Sequence, residues 1–337
     1  MSRKHNPLPR FEKIPITGWG SDGKALARVD GLVVFVHGAV PGDVADIQLT
    51  RKKSSFAEGG AVNIVERSPD RVDPFCAHFG TCGGCKWQDL AYPKQLEYKR
   101  QQVIDSLERI GGLELPEVPG TLASPHTTHY RNKLEFTGSA HRWFTTEELR
   151  SMGEITDRNA LGFHIPGRFD RVMHVETCHL QPEPSNSIRN FIHAKAGELG
   201  LSFYDIRGNR GCLRTVLVRT ALTGELMVLI AFGEEDASRQ EALLPAVRDA
   251  FPAITSLLWT VNTKKNDTIW DLGIHTFHGR DHIVEELRDD PHAPLKFRIG
   301  PKSFFQTNPL QAQRLYEAAR GFAQLTGEEN VYDLYCG

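Results

Sequence analysis

Four cysteines form the most specific chemical pattern in the sequence. Cys76, Cys82 and Cys85 follow a C-x5-C-x2-C spacing, and Cys178 lies much further along the chain. Thiolates are soft ligands, and both iron–sulfur clusters and structural zinc sites commonly use four of them. A zinc ribbon usually brings two closely spaced cysteine pairs, whereas here the second half is a single cysteine. The spacing therefore favours an iron–sulfur cluster, with zinc as the alternative.

The remaining composition restricts the class of protein. Six Cys in 337 residues are too few for a disulfide scaffold, which favours a reducing cytoplasm. Cys212 and Cys336 adjoin predicted strands, and we expect both thiols to have packing roles. No stretch approaches the ~18 apolar residues of a membrane span, so no membrane partner is expected.

Positive charge is concentrated near the start of the chain. The whole chain has a net charge of −2, but residues 1–110 carry +3 and the remainder carries −5. Arg51, Lys52 and Lys53 form a basic loop that leads to the aromatic Phe56. Such a cluster could bind a polyanion, and a solvated turn is the alternative interpretation.

These residues need elements to position them. Before residue 67 the pattern predicts short strands at 25–29, 32–37, 43–50 and 61–65, with the hairpin signal Asp30-Gly31, and therefore a small barrel. A helix is predicted over 92–110, since Pro93 begins it and Gly111-Gly112 ends it. Further strands (213–219, 226–232, 254–261) and helices (185–199, 240–251) interleave, which indicates a mixed α/β region.

The end of the chain has a different pattern. Residues 297–308 are predicted to be extended, and 309–325 to form an amphipathic helix. Val331–Tyr335 is then a short apolar segment that leads into Cys336-Gly337, which is typical of the first strand of a doubly wound nucleotide-binding fold.

Together these segments resemble the RNA uracil-C5 methyltransferases that carry a TRAM domain and a [4Fe–4S] cluster, the type that acts on 23S ribosomal RNA. The resemblance covers essentially the whole chain. It is carried by six segments: 31–43, which is similar to the TRAM signature; 76–88 and 161–178, which hold the cysteines; Tyr130-Arg131-Asn132-Lys133; Ser303-Phe304-Phe305-Gln306-Thr307-Asn308; and 333–337.

The resemblance implies a multi-domain α+β fold and a function. The expected domains are an OB-like TRAM β-barrel (1–67), a central α/β domain with the cluster (68–292) and the start of a Rossmann-like methyltransferase domain (293–337). The family transfers a methyl group from S-adenosylmethionine to C5 of a uridine, after a cysteine thiolate has added to C6. The target is expected to be 23S ribosomal RNA, with transfer RNA as the alternative.

The resemblance also assigns residues. Cys76, Cys82, Cys85 and Cys178 would bind the [4Fe–4S] cluster, and Gln306 and Tyr335 would contact S-adenosylmethionine. Phe304 and Phe305 would wall the site, although ordinary core packing is an equal alternative for each. From their charge rather than from the resemblance, Arg51, Lys52, Lys53, Arg131 and Lys133 are the expected RNA contacts.

The sequence departs from the family at its end. The family's nucleophilic cysteine and base belong beyond Gly337, so we expect this chain as given to be a fragment that does not methylate RNA. A non-catalytic, RNA-binding iron–sulfur module is therefore a second interpretation. Radical chemistry, as in tRNA methylthiotransferases, is disfavoured because those enzymes use C-x3-C-x2-C and a C-terminal barrel. We expect a cytoplasmic monomer.

Overall fold

A computed structural model describes residues 8–20, 23–151, 153, 155, 157–287 and 294–334. Its contacts divide the chain into two compact units, residues 1–123 and 124–337, which are described separately. The predicted division into three domains, with boundaries after residues 67 and 292, stays a prediction. In the part of the chain that is described, no helix is long and apolar enough to cross a membrane.

The first unit begins with a closed five-stranded barrel of strand order β1-β2-β3-β5-β4. Its strands are β1 (Arg10–Trp19), β2 (Ala25–Val29), β3 (Leu32–His37), β4 (Val44–Lys52) and β5 (Phe56–Glu66). Alternate side chains point inward, and Ile16, Val34, Val36 and Ile47 are at most 3% exposed. The predicted N-terminal barrel is confirmed.

The β2–β3 hairpin is confirmed at the predicted turn. Asp30 and Gly31 have φ values of 49° and 80°, and Val29 pairs with Leu32. Both turn residues are left-handed, as a two-residue hairpin turn requires, and Gly tolerates this conformation without a steric penalty. The strand β1 was not predicted, because Pro15 interrupts its apolar pattern and its pairing with β2 and β4 is irregular.

The rest of the first unit is a loop of irregular structure and one helix. The helix α1 (Tyr92–Asp105) begins with Pro near its N-terminus and continues as a π-helical turn over Ser106–Ile110. It matches the predicted helix at both ends. The cysteine-rich loop lies between β5 and α1.

The second unit is built on an eight-stranded mixed sheet of order β13-β12-β11-β10-β6-β8-β9-β7. The strands are β6 (Lys133–Ser139), β7 (Arg142–Trp143), β8 (Ala160–Ile165), β9 (Arg168–His174), β10 (Leu213–Thr220), β11 (Leu226–Phe232), β12 (Ser256–Val261) and β13 (His275–Gly279). A separate ribbon pairs β14 (Ile283–Leu287) with β15 (Leu295–Ile299). The helices are α2 (Thr146–Ser151), α3 (Ser185–Glu198), α4 (Ala237–Ala250) and α5 (Pro309–Ala323). The predicted α/β region is confirmed.

The C-terminal segment differs from its prediction. Residues 331–334 form no strand, and Val331, Tyr332 and Leu334 are 69–84% exposed. A strand is stabilised by pairing with a neighbour, and none pairs with this segment among the residues described. The strand prediction is therefore wrong for 331–334, and Tyr335, Cys336 and Gly337 lie outside the described residues.

Candidate functional site

Arg219 holds the segment that carries the Phe-Phe-Gln sequence. This side chain points from β10 into the interior and is 2% exposed. Its Nη1 donates to the carbonyl oxygen of Gly300 at 2.9 Å and its Nη2 to that of Ser303 at 3.0 Å. Burial lowers the pKa of Arg219 to about 10, against the opposing charge of Glu135, so the guanidinium is still charged near neutral pH.

Asn132 joins two of the family-like segments. Its backbone N–H donates to the Thr307 carbonyl at 2.8 Å, and its Nδ2 donates to the Gln306 carbonyl at 3.0 Å. Its own carbonyl accepts from the N–H of Thr220, at the end of β10, at 2.9 Å. The side chains of Asn132 and Arg219 thus hold residues 130–132 and 300–307 together, and we call this arrangement the frame. It brings the predicted residues Arg131 and Gln306 into one region.

The two phenylalanines of this segment, Phe304 and Phe305, lie in different surroundings. Phe305 packs on the core cluster around Leu217 and Leu258, and its ring meets that of Phe297 edge-on at 5.5 Å. Phe304 is 82% exposed. Phe305 therefore has the core role that was the alternative interpretation, while Phe304 offers a free aromatic face beside Gln306.

The two cations predicted beside this frame differ in their surroundings. Lys133 Nζ lies 2.8 Å from Glu135 Oε1, which neutralises part of its charge. The backbone N–H of Arg131 donates to the Leu180 carbonyl at 2.8 Å. The Nε atom of Arg131 is buried and has no hydrogen-bond partner among the residues described. A buried donor without an acceptor calls for an explanation, such as an ordered water or a bound group.

Asn308 ends the segment and begins α5. Its side-chain Oδ1 accepts from the N–H of Gln311 at 3.1 Å, which is an N-cap, and Pro309 follows at the first helical position. The cap fixes where the extended segment stops, and so helps to define the position of Gln306.

Three of the predicted metal ligands lie in the first unit. Cys76, Cys82 and Cys85 are partly exposed in the loop between β5 and α1. The N–H of Gly84 points to the Cys82 sulfur at 3.4 Å, and Gly80 has a φ of 82°. Backbone N–H groups directed at sulfur are a feature that tunes iron–sulfur clusters.

The cysteine loop is attached to the barrel. The rings of Trp19 and Trp87 stack with centroids 5.2 Å apart. Arg71 forms ion pairs with Asp43 at 2.8 Å and with Asp89 at 2.9 Å. These contacts place the loop in the same compact unit as the barrel.

The fourth predicted ligand, Cys178, lies in the second unit and is 8% exposed. Its N–H donates to Asn186 Oδ1 at 2.8 Å, and Asn186 Nδ2 donates back to its carbonyl at 3.2 Å. The fully buried Arg189 donates to the same Asn186 oxygen at 2.9 Å. Burial lowers the pKa of Arg189 to about 10, and the nearby Cys178 opposes that shift. Helix α3 thus fixes the backbone of Cys178.

The metal prediction is not confirmed by geometry. Within the described ranges, no group of three or more His, Cys, Asp or Glu side chains could hold a metal ion as placed. The donor set itself fits an iron–sulfur cluster, because it consists of four thiolates with a backbone amide directed at one sulfur. The four-cysteine centre stays a prediction.

The basic loop lies on the barrel surface. Arg51 and Lys52 end β4, and Lys53 follows in the turn to β5; all three are exposed. Lys53 Nζ lies 5.2 Å from the centre of the Phe56 ring, and Arg51 Nη1 is 3.9 Å from Glu58 Oε2. The loop therefore presents accessible charge beside an aromatic ring, as RNA contacts require.

Comparison with known proteins agrees with this arrangement. The TRAM domain family matches residues 12–62, which lie within the barrel. An uncharacterized RNA methyltransferase of Bacteroides thetaiotaomicron is 51% identical over 94% of this chain and 69% of its own length. A second, from Porphyromonas gingivalis, is 48% identical over 96% of this chain and 69% of its own length. The chain belongs to the RNA methyltransferase family.

A solved structure of this kind of enzyme matches most of the methyltransferase chain. It is the Pyrococcus abyssi tRNA (uracil-54, C5)-methyltransferase in complex with S-adenosyl-L-homocysteine, with a TM-score of 0.62 and 25% identity. The match covers 92% of this chain and 65% of the archaeal one. The present methyltransferase chain thus spans about two thirds of the proteins that it matches.

Three residues of the methyltransferase frame were not among the predicted site residues. Arg219 binds the carbonyl groups of Gly300 and Ser303 across 81 and 84 positions of sequence, and Asn132 binds that of Gln306 across 174; no sequence pattern predicts such contacts. Asn308 instead caps its own helix by accepting from the N–H of Gln311. For Arg219 the available signal was a charge directly after the apolar residues 216–218 of β10, and for Asn308 it was the position before Pro309.

Proposed function

We propose that this protein takes part in the S-adenosylmethionine-dependent methylation of uridine at C5 in RNA. The observation that carries the proposal is the frame in which Asn132 binds Gln306 and Thr307 while Arg219 binds Gly300 and Ser303. The frame brings the exposed ring of Phe304, the amide side chain of Gln306 and the side chain of Arg131 into one region. An unstacked base could stack on Phe304 there.

The proposed chemistry has two stages. A cysteine thiolate adds to C6 of the uracil ring, and the electron pair displaced to C5 attacks the methyl group of the donor, whose leaving group is the neutral thioether. A base then takes the C5 proton, and the electrons of that bond expel the thiolate from C6. We assign Gln306 to contact with the donor and Phe304 to the wall of the base site; Tyr335 stays a proposed donor contact outside the described residues.

A tritium-release experiment tests the reaction. The protein isolated from its own cells is incubated with S-adenosylmethionine and RNA that carries tritium at C5 of uridine. Release of tritium to water, dependent on the donor, is the expected result. Methylation that leaves the C5 tritium in place would refute the C5 assignment.

The RNA class is proposed to be 23S ribosomal RNA, and transfer RNA is the alternative. One observation supports the alternative: the matched archaeal structure is of a tRNA (uracil-54, C5)-methyltransferase. The two classes are distinguished by which purified RNA accepts the methyl group. We further propose that the protein acts in the cytoplasm as a monomer.

We propose that Cys76, Cys82, Cys85 and Cys178 bind a [4Fe–4S] cluster. When bound, such a cluster would link the thiolates of a loop that has little regular structure of its own. Four thiolate ligands leave no open iron position, so its role here would be structural or in positioning RNA.

RNA binding is proposed for the barrel loop and for the frame. Arg51, Lys52 and Lys53 supply exposed charge beside an aromatic ring, which is a suitable surface for a phosphate backbone. Arg131 and Lys133 would add contacts near the donor contact Gln306.

A further inference from the structure

A cavity of about 230 Å³ lies against the frame, on the side of Arg131. It is bounded by residues 129–132, by 182–184 and by the turn between β10 and β11. Its apolar walls include Pro182, Pro184 and Leu222. Asn132 lines it too, and the Nδ2 of that residue donates to the Gln306 carbonyl at 3.0 Å. A single residue, Asn132, therefore connects the cavity to Gln306, the proposed contact with the methyl donor.

The polar groups in this cavity are unevenly satisfied. Arg131 lines it, and the guanidinium of Arg131 makes no hydrogen bond or ion pair with the residues described. Glu225 is engaged by Arg280 at 2.5 Å and by the N–H of Val284 at 2.7 Å. Glu183 accepts from Asn186 Nδ2 at 2.9 Å and from Ser187 Oγ at 2.9 Å. The two carboxylates therefore keep their own partners and leave Arg131 as the donor available to a ligand.

The charged groups that line the cavity indicate which part of an RNA it can bind. Burial would raise the pKa of Glu183 and Glu225, but their hydrogen bonds lower it, so both are ionised near neutral pH. Two carboxylates repel a phosphate. Each carboxylate has further lone pairs beyond the bonds given above and can accept from the N–H groups of a nucleobase, while Arg131 can donate to its ring or carbonyl acceptors.

The volume of the cavity also favours a nucleobase. Pockets for drug-sized ligands begin at about 300 Å³, and this cavity is smaller. It suits one flat base with its face on proline and leucine side chains. Single-stranded RNA is recognised by bases that are splayed out in this manner.

We propose that this cavity binds the base of one unstacked nucleotide that neighbours the methylated uridine. The inference rests on the proposed function, because the ligand is the RNA substrate. It assigns Arg131 to recognition of a base edge rather than of a phosphate.

Two substitutions test the proposal. Ala253→Trp places a large ring in the cavity from an exposed lining position, and Ala250→Trp adds the same ring at an exposed position outside it. The probe is a fluorescein-labelled, single-stranded oligoribonucleotide that contains the methylated site, and binding is followed by anisotropy. We expect Ala253→Trp to weaken binding about tenfold, the effect of losing one base contact, and Ala250→Trp to leave it unchanged.

Arg131→Gln supplies a second, smaller change for the case that Ala253→Trp fails to fold. Its affinity should also fall, and the loss should persist at high salt, because a base contact releases fewer counterions than a phosphate contact. Wild-type affinity in both Ala253→Trp and Arg131→Gln would overturn the cavity proposal and leave the proposed function standing. Absence of RNA binding by the wild-type protein would instead overturn the proposed function.

Discussion

Arg219 is a charged side chain in the interior that positions a segment to which it does not belong. Its two donors satisfy the carbonyl oxygens of Gly300 and Ser303, and a buried carbonyl that loses its donor costs free energy. The exposed Phe304 and the half-buried Gln306 are therefore held at a fixed position beside the core.

We expect Arg219→Met to destabilise the folded protein by about 2–3 kcal/mol, since it leaves two carbonyl groups without donors. Arg150→Met, at an exposed position of α2, should change the free energy of unfolding by less than about 0.5 kcal/mol. Urea unfolding measures both. Hydrogen exchange should rise in residues 300–308 of Arg219→Met, and equal exchange in both variants would contradict the positioning role.

At this scale the sequence could identify types of residue but not their partners. Arg131 and Gln306 were predicted from segments that resemble a family. Asn132, whose side chain joins those two segments, was not predicted as a site residue. No sequence pattern around an uncharged amide indicates a hydrogen bond across 174 positions of sequence.

At the scale of elements, the barrel shows what local chemistry determines. Asp30-Gly31 predicted its hairpin because the two residues tolerate a left-handed turn. The irregular β1 depends on two neighbouring strands for its pairing, and so it could not be predicted from its own residues.

The β4–β5 turn gives a prediction for RNA binding. Changing Arg51, Lys52 and Lys53 together to Gln should weaken RNA binding at low salt and make the slope of log K against log salt less steep by about 2. A matched variant changes Arg150, Lys195 and Arg248 to Gln, which removes the same charge from the second unit. Equal slopes in the two triple variants would exclude the barrel turn as an RNA contact.

The attachment of the cysteine loop to the barrel gives a prediction for pH. Burial would raise the pKa of Asp43, but hydrogen bonds from Arg71, Val40 and Ser68 outweigh it and hold that pKa below its ordinary value. An acid with a lowered pKa stabilises the folded state above its unfolded pKa, about 3.8–3.9, and this stabilisation is lost as pH falls through the folded pKa.

We therefore expect Asp43→Asn to destabilise the barrel near pH 7, with a difference from the wild type that shrinks below about pH 4. Burial raises the pKa of Asp89 and the charge of Asp43 adds to that rise, so both proteins are also compared in an Asp89→Asn background, where residue 89 does not titrate. Hydrogen exchange of β4 and β5, corrected for intrinsic rates, is the measurement. A difference that is constant from pH 3 to pH 7 would contradict this account.

At the scale of the whole molecule, the cysteines divide between the two compact units. Cys76, Cys82 and Cys85 belong to one, and Cys178 belongs to the other. The barrel and the family were predictable, because each rests on local signals or on segments. The order of the eight-stranded sheet was not, since it depends on pairings between strands that are distant in sequence.

The cluster proposal predicts a selective loss on substitution. Protein purified without oxygen should contain iron and sulfide and absorb visible light, and Cys178→Ser should lose both properties. Cys212→Ser, at a fully buried thiol outside the proposed ligand set, should keep them. Stoichiometric zinc without iron in the wild-type protein would establish the zinc alternative instead.

The most direct test of the central claim is the position of 5-methyluridine in cellular RNA. The gene is deleted in its host, and 23S ribosomal RNA and transfer RNA are digested and mapped by mass spectrometry. We predict that 5-methyluridine disappears at a specific uridine, in ribosomal RNA by our first assignment, and returns when the gene is restored. Unchanged 5-methyluridine at every position of both RNAs would contradict the account.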